Sequence, residues 1–454
     1  SPTDGRSVKR CSRVVQVAFF GMIVRAVESN SGRVPLSEFG CTKNPHQCRL
    51  RIVRCDNKHL KGASYVNIRA IIATVIAIAA IAATISCSGS PDALIAASPA
   101  GADVVAGAPQ ETMLAETSTT NPATGDSANL AKDFVGVTQW LNSPPLTLEE
   151  LKGKVVLVDF WTYTCINCLR TLPYLRDWNE KYASRGLVIV GVHSPEFQFE
   201  HDVGNVREAM IREQVTWPVA MDNDFATWRA YSNRYWPHKF LIDKDGEVRY
   251  HHIGEGGYKE TELHIRGYLE ETGYDVSDVP VGGVVIAGEP EPGTKPATRE
   301  IYAGSGWGRG DYLGNQEKIN GGQAATFNDP GKHEGGKFYL QGTWSIDSES
   351  VTHSRTTEGF EDYIAIKYQA ASVNVVVRPS GVDPFRVIAT IDGKPIPAGD
   401  WGDDIMADSQ GTTFLQIDGP RMYNVVRSMS SKGGELKLHA GSPDFSLYTY
   451  AFSG

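Results

Sequence analysis

The sequence predicts a mixed α/β domain followed by an all-β domain, and three observations carry that prediction. Between residues 155 and 271, apolar runs of strand length alternate with longer segments of helical periodicity, as in a sheet covered by helices. Beyond residue 298 the pattern changes to short alternating or β-branched runs separated by turn residues. A Gly- and Pro-rich stretch, residues 279–298, joins the two and reads as a linker. At 454 residues the chain has length for more than one domain.

Taken in order, the first domain reads as strand 155–161, helix 166–184, strand 187–192, helix 205–213, strand 217–221 and helix 225–232. A hairpin of strands 239–242 and 247–252 follows, turning at Lys244-Asp245-Gly246, where Gly tolerates positive φ. Helix 259–271 closes the domain. The second domain reads as eight strands at 338–346, 363–368, 373–377, 385–391, 412–417, 422–426, 435–439 and 445–452, which suggests a jelly-roll sandwich.

The chemistry concentrates at Cys165-Ile166-Asn167-Cys168, between the first strand and its helix. A strand that delivers two cysteines, three apart, to the first turn of a helix has the layout of a thioredoxin-like redox site. Residues i and i+3 share a helix face, so the two sulfurs can bond to each other. Unpaired N–H groups and the positive end of the helix dipole favour a thiolate at Cys165, the expected nucleophile. Cys168, deeper in the helix, is expected to resolve the mixed disulfide. Half of a zinc site is the rival reading, but no cysteine follows Cys168 and no histidine pair, His251-His252 included, has zinc-finger spacing. No metal and no cofactor are expected. The element order makes the first domain a thioredoxin fold with one inserted element between strands 187–192 and 217–221.

Asp159 lies six residues before the first cysteine, in Val158-Asp159-Phe160-Trp161, and Pro173 lies five after the second; both placements resemble thioredoxin. The resemblance implies a buried Asp159 that takes the proton from Cys168, directly or through water. A carboxylate beneath an apolar strand has a raised pKa, suited to a base near neutral pH. It also implies a cis proline before the hairpin: Pro237, with Trp236 beside it, would hold a substrate peptide by strand-like hydrogen bonds.

Longer strings narrow the likeness. Residues 160–173, Gly191-Val192-His193-Ser194-Pro195-Glu196-Phe197 and residues 233–243 resemble the extracytoplasmic part of DipZ-type thiol-disulfide proteins of the TlpA/thioredoxin superfamily, from about Asp133 to the C-terminus. That implies a thiol-disulfide oxidoreductase acting on protein thiols and disulfides. The multi-helix membrane domain of full-length DipZ proteins is missing from this sequence, so a separate membrane electron-transfer protein is the expected partner. The resemblance makes the second domain carbohydrate-binding-module-like, with Trp307, Tyr312, Trp344 and Trp401 as candidate stacking residues for a glycan. Core packing or partner docking is the preferred role for those rings.

Two alternatives remain in play. A thiol peroxidase of the peroxiredoxin type would use a Pro-x-x-x-Thr-x-x-Cys pattern; Thr162 fits, but Val158 stands where proline belongs. A sugar-binding or docking protein would use the thioredoxin domain only as a scaffold. His193 and Glu196, at the carboxyl edge of their strand, are candidates to tune Cys165, weighed against a plain loop role.

Toward the N-terminus, the unbroken apolar run 70–85 ending at Ser86-Cys87-Ser88 reads as a signal peptide. Its sixteen residues are fewer than the roughly 20 a membrane helix needs. Thr84-Ile85-Ser86-Cys87 resembles a lipobox with Cys87 as the lipidated residue, although Thr84 departs from the usual Leu. These features predict an extracytoplasmic protein, periplasmic or on the cell surface, held to a membrane by a lipid anchor. Residues 1–65 read as foreign to it, with synthesis expected to begin near Val66. The runner-up is a basic cytoplasmic segment with Cys41, Cys48 and Cys55 as metal ligands.

The expected divisions are thus 1–65 upstream segment, 66–87 signal peptide, 88–131 flexible tether, 132–276 thioredoxin-like domain, 277–298 linker and 299–454 β domain. Residues 1–69 carry 13 basic and 4 acidic side chains within a chain of net charge −9, so the rest is strongly acidic. Nucleic acid is not an expected partner.

Overall fold

The computed structural model describes residues 129–284, 298–306, 312–317 and 321–454, together with the short strands Gln16–Phe19, Met22–Arg25, Ser37–Cys41 and Cys48–Ile52, which pair as two antiparallel hairpins. Expectations placed on Cys87, the apolar run 70–85, residues 88–128 of the tether and Trp307 lie outside the described residues.

The first domain is built from β1 (Gln139–Leu141), β2 (Val155–Trp161), α1 (Ile166–Tyr182), β3 (Leu187–His193), α2 (Val203–Arg212), β4 (Val219–Met221), α3 (Ala226–Ala230), β5 (His238–Ile242), β6 (Val248–Ile253) and α4 (Tyr258–Glu271). Its sheet has the order β6-β5-β2-β3-β4-β1. The pairs β2–β3 and β3–β4 are parallel, whereas β2–β5, β5–β6 and β1–β4 are antiparallel. This is a thioredoxin fold, with a 3-10 turn, Gln198–His201, and α2 inserted between β3 and β4.

β2 is central, and every one of its residues is buried. Strand side chains alternate between faces, so the parity of each residue decides its surroundings. Val155, Leu157 and Trp161 join the core that contains Leu172, Leu175 and Trp178 of α1 and Ile265 and Leu269 of α4. Val156, Val158 and Phe160 enter a second core with Val190, Val192, Phe240 and Ile242. By that parity Asp159 points to the α1 side. On the neighbouring strand Leu241 belongs to the α1 core and Phe240 to the other, so Lys239 shares the face of Asp159.

The second domain continues with β7 (Ile301–Tyr302), β8 (Ala325–Phe327), β9 (Phe338–Ile346), β10 (Val351–His353), β11 (Asp362–Pro379), β12 (Phe385–Ile391), β13 (Lys394–Pro395), β14 (Ile405–Ala407), β15 (Thr413–Ile417), β16 (Arg421–Ala440) and β17 (Phe445–Ser453). Its named strands pair antiparallel throughout, in the order β7-β17-β10-β9-β11-β16-β12-β15-β14, with β8 on β9 and β13 on β12.

Two differences from the expected strand pattern have one cause. The runs 363–368 and 373–377 form the single strand β11, and 422–426 and 435–439 form the single strand β16. Ala370-Ala371-Ser372 and the Ser/Gly-rich stretch 428–434 look like breaks in sequence. The paired strands absorb them as irregularities, Ala370 pairing with Lys432 and Ser372 with Arg427.

Of the four aromatic residues proposed for glycan stacking, Tyr312, Trp344 and Trp401 are among the described residues. Trp344 is fully buried in the β core, its indole N–H donating to the Gln341 carbonyl at 2.8 Å, so it offers no face to a ligand. Trp401 is partly exposed and donates to the Ile396 carbonyl, while Tyr312 packs against the β core.

Candidate active site

β2 ends at Trp161 and α1 begins at Ile166, so the intervening residues place the two cysteines at the helix start. Cys165 is the N-cap residue: its Sγ accepts the Cys168 backbone N–H at 3.3 Å, a role usually filled by an oxygen side chain. Both cysteines are free thiols. Cys165 is half-buried and Cys168 buried, so one sulfur can meet an outside molecule and the other lies behind it. Burial, followed by the hydrogen bond with Cys165, pushes the Cys168 thiol well above its ordinary pKa. Left alone, that thiol is a poor nucleophile and needs a base.

Asp159 faces α1 and is 1% exposed; one of its carboxyl oxygens has no hydrogen-bond partner. Burial raises its pKa to about 7, against the opposing pull of the Lys239 charge. A carboxyl with that value suits proton exchange near neutrality.

The peptide bond Trp236-Pro237 is cis and immediately precedes β5, the strand beside β2. The Pro237 carbonyl accepts from the Gly254 N–H at 2.8 Å, while the Trp236 indole donates to the Ser194 carbonyl at 3.1 Å and lies 4.4 Å from the Trp228 ring. Trp236, Cys165, Ile166, Leu169, Tyr174 and Tyr258 are partly buried and pack on the α1 core. Tyr174 and Tyr258 stack with ring centres 3.5 Å apart.

His193 and Glu196, the loop candidates, part company. His193 is buried, stacked on Tyr163 at 5.7 Å and 3.3 Å from the Thr162 hydroxyl; burial holds its pKa near 3, so it stays neutral and carries no charge to Cys165. Glu196 instead accepts from the Tyr302 hydroxyl of the β domain.

Two functional-looking residues escape sequence reasoning. Lys239 is fully buried, opposite Asp159 in the β2–β5 register. Glu200 is fully buried; it accepts from the Thr164 hydroxyl, next to Cys165, and from the backbone N–H groups of Glu196 and Phe197. Lys239 had a detectable signal, since a residue two before Leu241 on an alternating strand must share its face. Glu200 had none, as Gln198-Phe199-Glu200-His201 reads as an ordinary polar loop.

Among the described residues, no group of three or more His, Cys, Asp or Glu could hold a metal ion, and no helix is long and apolar enough to cross a membrane.

Comparison with known proteins adds two family matches: residues 125–264 match the family described as Redoxin, and residues 298–453 the thioredoxin-like C-terminal domain. Protein DipZ of Mycobacterium tuberculosis is 36% identical over 280 residues, covering 60% of this chain; the chain spans only 37% of that relative's length. Thiol-disulfide oxidoreductase YkuV of Bacillus subtilis is 32% identical over 141 residues, which are 31% of this chain and 94% of YkuV. Thiol-disulfide oxidoreductase ResA of Bacillus cereus is 31% identical over 131 residues, 29% of this chain and 70% of ResA.

Proposed function

The chain belongs to the thioredoxin-like thiol-disulfide oxidoreductases, and we propose that Cys165 and Cys168 are the redox couple with which it exchanges disulfides in proteins outside the cytoplasm. The observation that carries this reading is the pair of cysteines at the start of α1, the outer one half-exposed and the inner one buried on the face of Asp159. In the reducing direction the Cys165 thiolate attacks a substrate disulfide and forms a mixed disulfide. One substrate thiolate leaves. Asp159 then takes the Cys168 proton, the Cys168 sulfur attacks Cys165, the bond to the substrate breaks, and the second substrate sulfur departs as thiolate. The couple is oxidised by two electrons and the substrate disulfide reduced by the same two.

Trp236 and Pro237 are the proposed peptide platform. The partly buried apolar side chains that pack on the same core as Cys165, Ile166 and Trp236 among them, favour substrates that present their cysteines on extended, partly apolar segments. A membrane electron-transfer protein is the proposed source of electrons, and a lipid on Cys87 the proposed anchor. A buried Val158 occupies the position where the peroxidase pattern requires proline, which weighs against peroxide as substrate.

Catalysed reduction of insulin by dithiothreitol tests the proposal. Cys165→Ser is expected to reduce the rate to the uncatalysed level, and indifference to that substitution rejects it. Cys168→Ala is expected to accumulate mixed disulfides on Cys165 whose partners identify the substrates.

A further inference from the structure

Glu200 is a fully buried carboxyl that the mechanism above does not use. It belongs to the 3-10 turn Gln198–His201 after β3, and its two oxygens serve two different loops. Oε2 accepts the backbone N–H of Glu196 and, at 3.0 Å, that of Phe197, both in the loop after β3. Oε1 accepts the Thr164 hydroxyl, in the loop that ends at Cys165. The first contact is what a capping glutamate makes at the start of a helical turn, and one oxygen suffices for it. A cap calls for neither the burial nor the second contact. Burial is costly here, pushing the Glu200 carboxyl above its ordinary pKa against the pull of these donors.

Each loop leads to one half of the exchange site. Thr164 precedes Cys165, whose N–H donates to the Thr162 carbonyl at 3.4 Å. The loop after β3 begins at Ser194, whose N–H donates to the Trp161 carbonyl at 3.1 Å and whose carbonyl accepts the Trp236 indole at 3.1 Å, beside the cis Pro237. Glu200 thus ties the segment bearing the outer cysteine to the segment that supports Trp236. The β domain holds its turn from the other side. The Gln198 N–H donates to the Glu349 carboxylate at 3.1 Å, and the Phe197 and Phe199 rings lie 5.1 and 4.8 Å from Tyr448 of β17. Withdrawing Glu200 from Thr164 would open that joint.

We propose that Glu200 is a positioning residue for the first attack on a protein disulfide, fixing Cys165 relative to Trp236 and Pro237, and that the β domain keeps it in place by gripping its turn. This rests on the reading of Cys165 as the nucleophile. In that step the Cys165 sulfur bonds to one substrate sulfur, the substrate S–S bond breaks, and the other sulfur leaves as thiolate. Glu200 exchanges no proton. A disulfide held on the platform must meet Cys165 at about 3–3.5 Å, so a displaced loop slows it. A small disulfide that needs no platform can approach the sulfur wherever the loop puts it.

Two rates of the pre-reduced full chain separate these cases. One is the release of thionitrobenzoate from dithiobis(nitrobenzoate) that is lost in Cys165→Ser and kept in Cys168→Ser, which reads Cys165 alone. The other is single-turnover reduction of insulin, which also needs the platform. In Glu200→Ala, and in Thr164→Val, which removes the donor hydroxyl at nearly unchanged shape, insulin reduction is expected to slow about tenfold or more while the release stays within about twofold. The double variant is expected to lose no more than Glu200→Ala alone, since both break one contact. Glu200→Gln is expected to keep the insulin rate, its amide oxygen accepting the two N–H groups and its amide N–H donating to the Thr164 hydroxyl. Tyr448→Ala is expected to slow insulin reduction about threefold or more, again with the release unchanged. Thr164→Val carries the measurement if Glu200→Ala does not fold. Insulin reduction that survives Cys165→Ser overturns the reading of the nucleophile and the proposal with it. Where Cys165→Ser is inactive, an unchanged insulin rate or equal slowing of both rates in folded Thr164→Val overturns the assignment of Glu200 alone. An unchanged insulin rate in folded Tyr448→Ala overturns the part given to the β domain.

Discussion

Asp159 in the thioredoxin domain and Asp362 in the β domain are equally buried, each 1% exposed, yet their carboxyls are driven in opposite directions. Burial raises Asp159 to about 7, and only the Lys239 charge opposes it. Burial also pushes Asp362 up, but the Arg355 guanidinium, the Thr343 N–H at 3.1 Å and the His353 ring at 3.0 Å outweigh it and hold the carboxyl at about 2. The first site leaves a carboxylate short of donors. The second surrounds one with them. Burial alone therefore does not make a proton acceptor; burial with donors withheld does.

The largest expected effect comes from removing the underserved carboxyl. Asp159 has a folded pKa above its unfolded value, so its contribution to stability is fully present below about pH 4 and is lost as pH rises through about 7. That shift corresponds to roughly 4 kcal/mol. Asp159→Asn is expected to unfold at higher denaturant than the native chain at pH 8, to match it near pH 4, and to slow the resolving step about 100-fold or more. A variant less stable than the native chain at pH 8 would erase the contrast with Asp362.

Asp362→Asn is expected to do the reverse. It strips a buried anion from Arg355 and His353, with a loss of roughly 3 kcal/mol at pH 7 in urea unfolding. Here the folded pKa lies below the ordinary 3.8, so the carboxyl's stabilisation is complete above about pH 4 and fades as pH falls through about 2. The gap between variant and native chain should close over that acid range, and a gap unchanged at pH 2 would count against the pairing.

How far these sites are legible in the sequence follows from the same contrast. Cys165, Cys168 and Asp159 stand on one strand and the helix after it, so spacing and alternation suffice to place them. Lys239 lies 80 positions further on, and only the β2–β5 register puts it opposite Asp159. Asp362 gathers Arg355 and His353 from its own sequence neighbourhood but Thr343 from β9, and nothing local marks it as buried. The fold shows the same limit. Strands and helices of the first domain carry clean periodicity, whereas β11 and β16 read as four strands because small residues and glycines interrupt them.

Gly342 is what lets the donors close around Asp362. Its φ is +102°, a conformation that favours glycine, and an added Cβ would sit 2.0 Å from the Asp362 carboxyl carbon. Gly342→Ala is expected to cost about 2 kcal/mol through backbone strain and displacement of that carboxyl. Thermal unfolding of the double variant with Asp362→Asn measures the coupling: the two losses should sum to more than the double variant shows.

The smallest effect expected tests whether the two domains can be compared as parts of one folding unit. Tyr302 of β7 donates its hydroxyl to Glu196 in the loop after β3, and its ring lies 6.3 Å from Phe197. Tyr448 of β17 packs edge-on against Phe197 at 5.1 Å and Phe199 at 4.8 Å, so the aromatic joint survives when the hydroxyl alone is removed. Tyr302, Val376, Met422, Tyr448 and Ala451 belong to the same apolar cluster as Leu157 and Trp161 beneath the redox site. A continuous core predicts one cooperative transition rather than two. Tyr302→Phe is accordingly expected to lower a single calorimetric Tm by roughly 2 °C, the scale of about 1 kcal/mol in a chain this long, with the insulin-reduction rate unchanged. Two resolved transitions, of which the substitution moves only one, would mean that the β domain folds on its own account and that Asp159 and Asp362 report on separate molecules sharing a backbone.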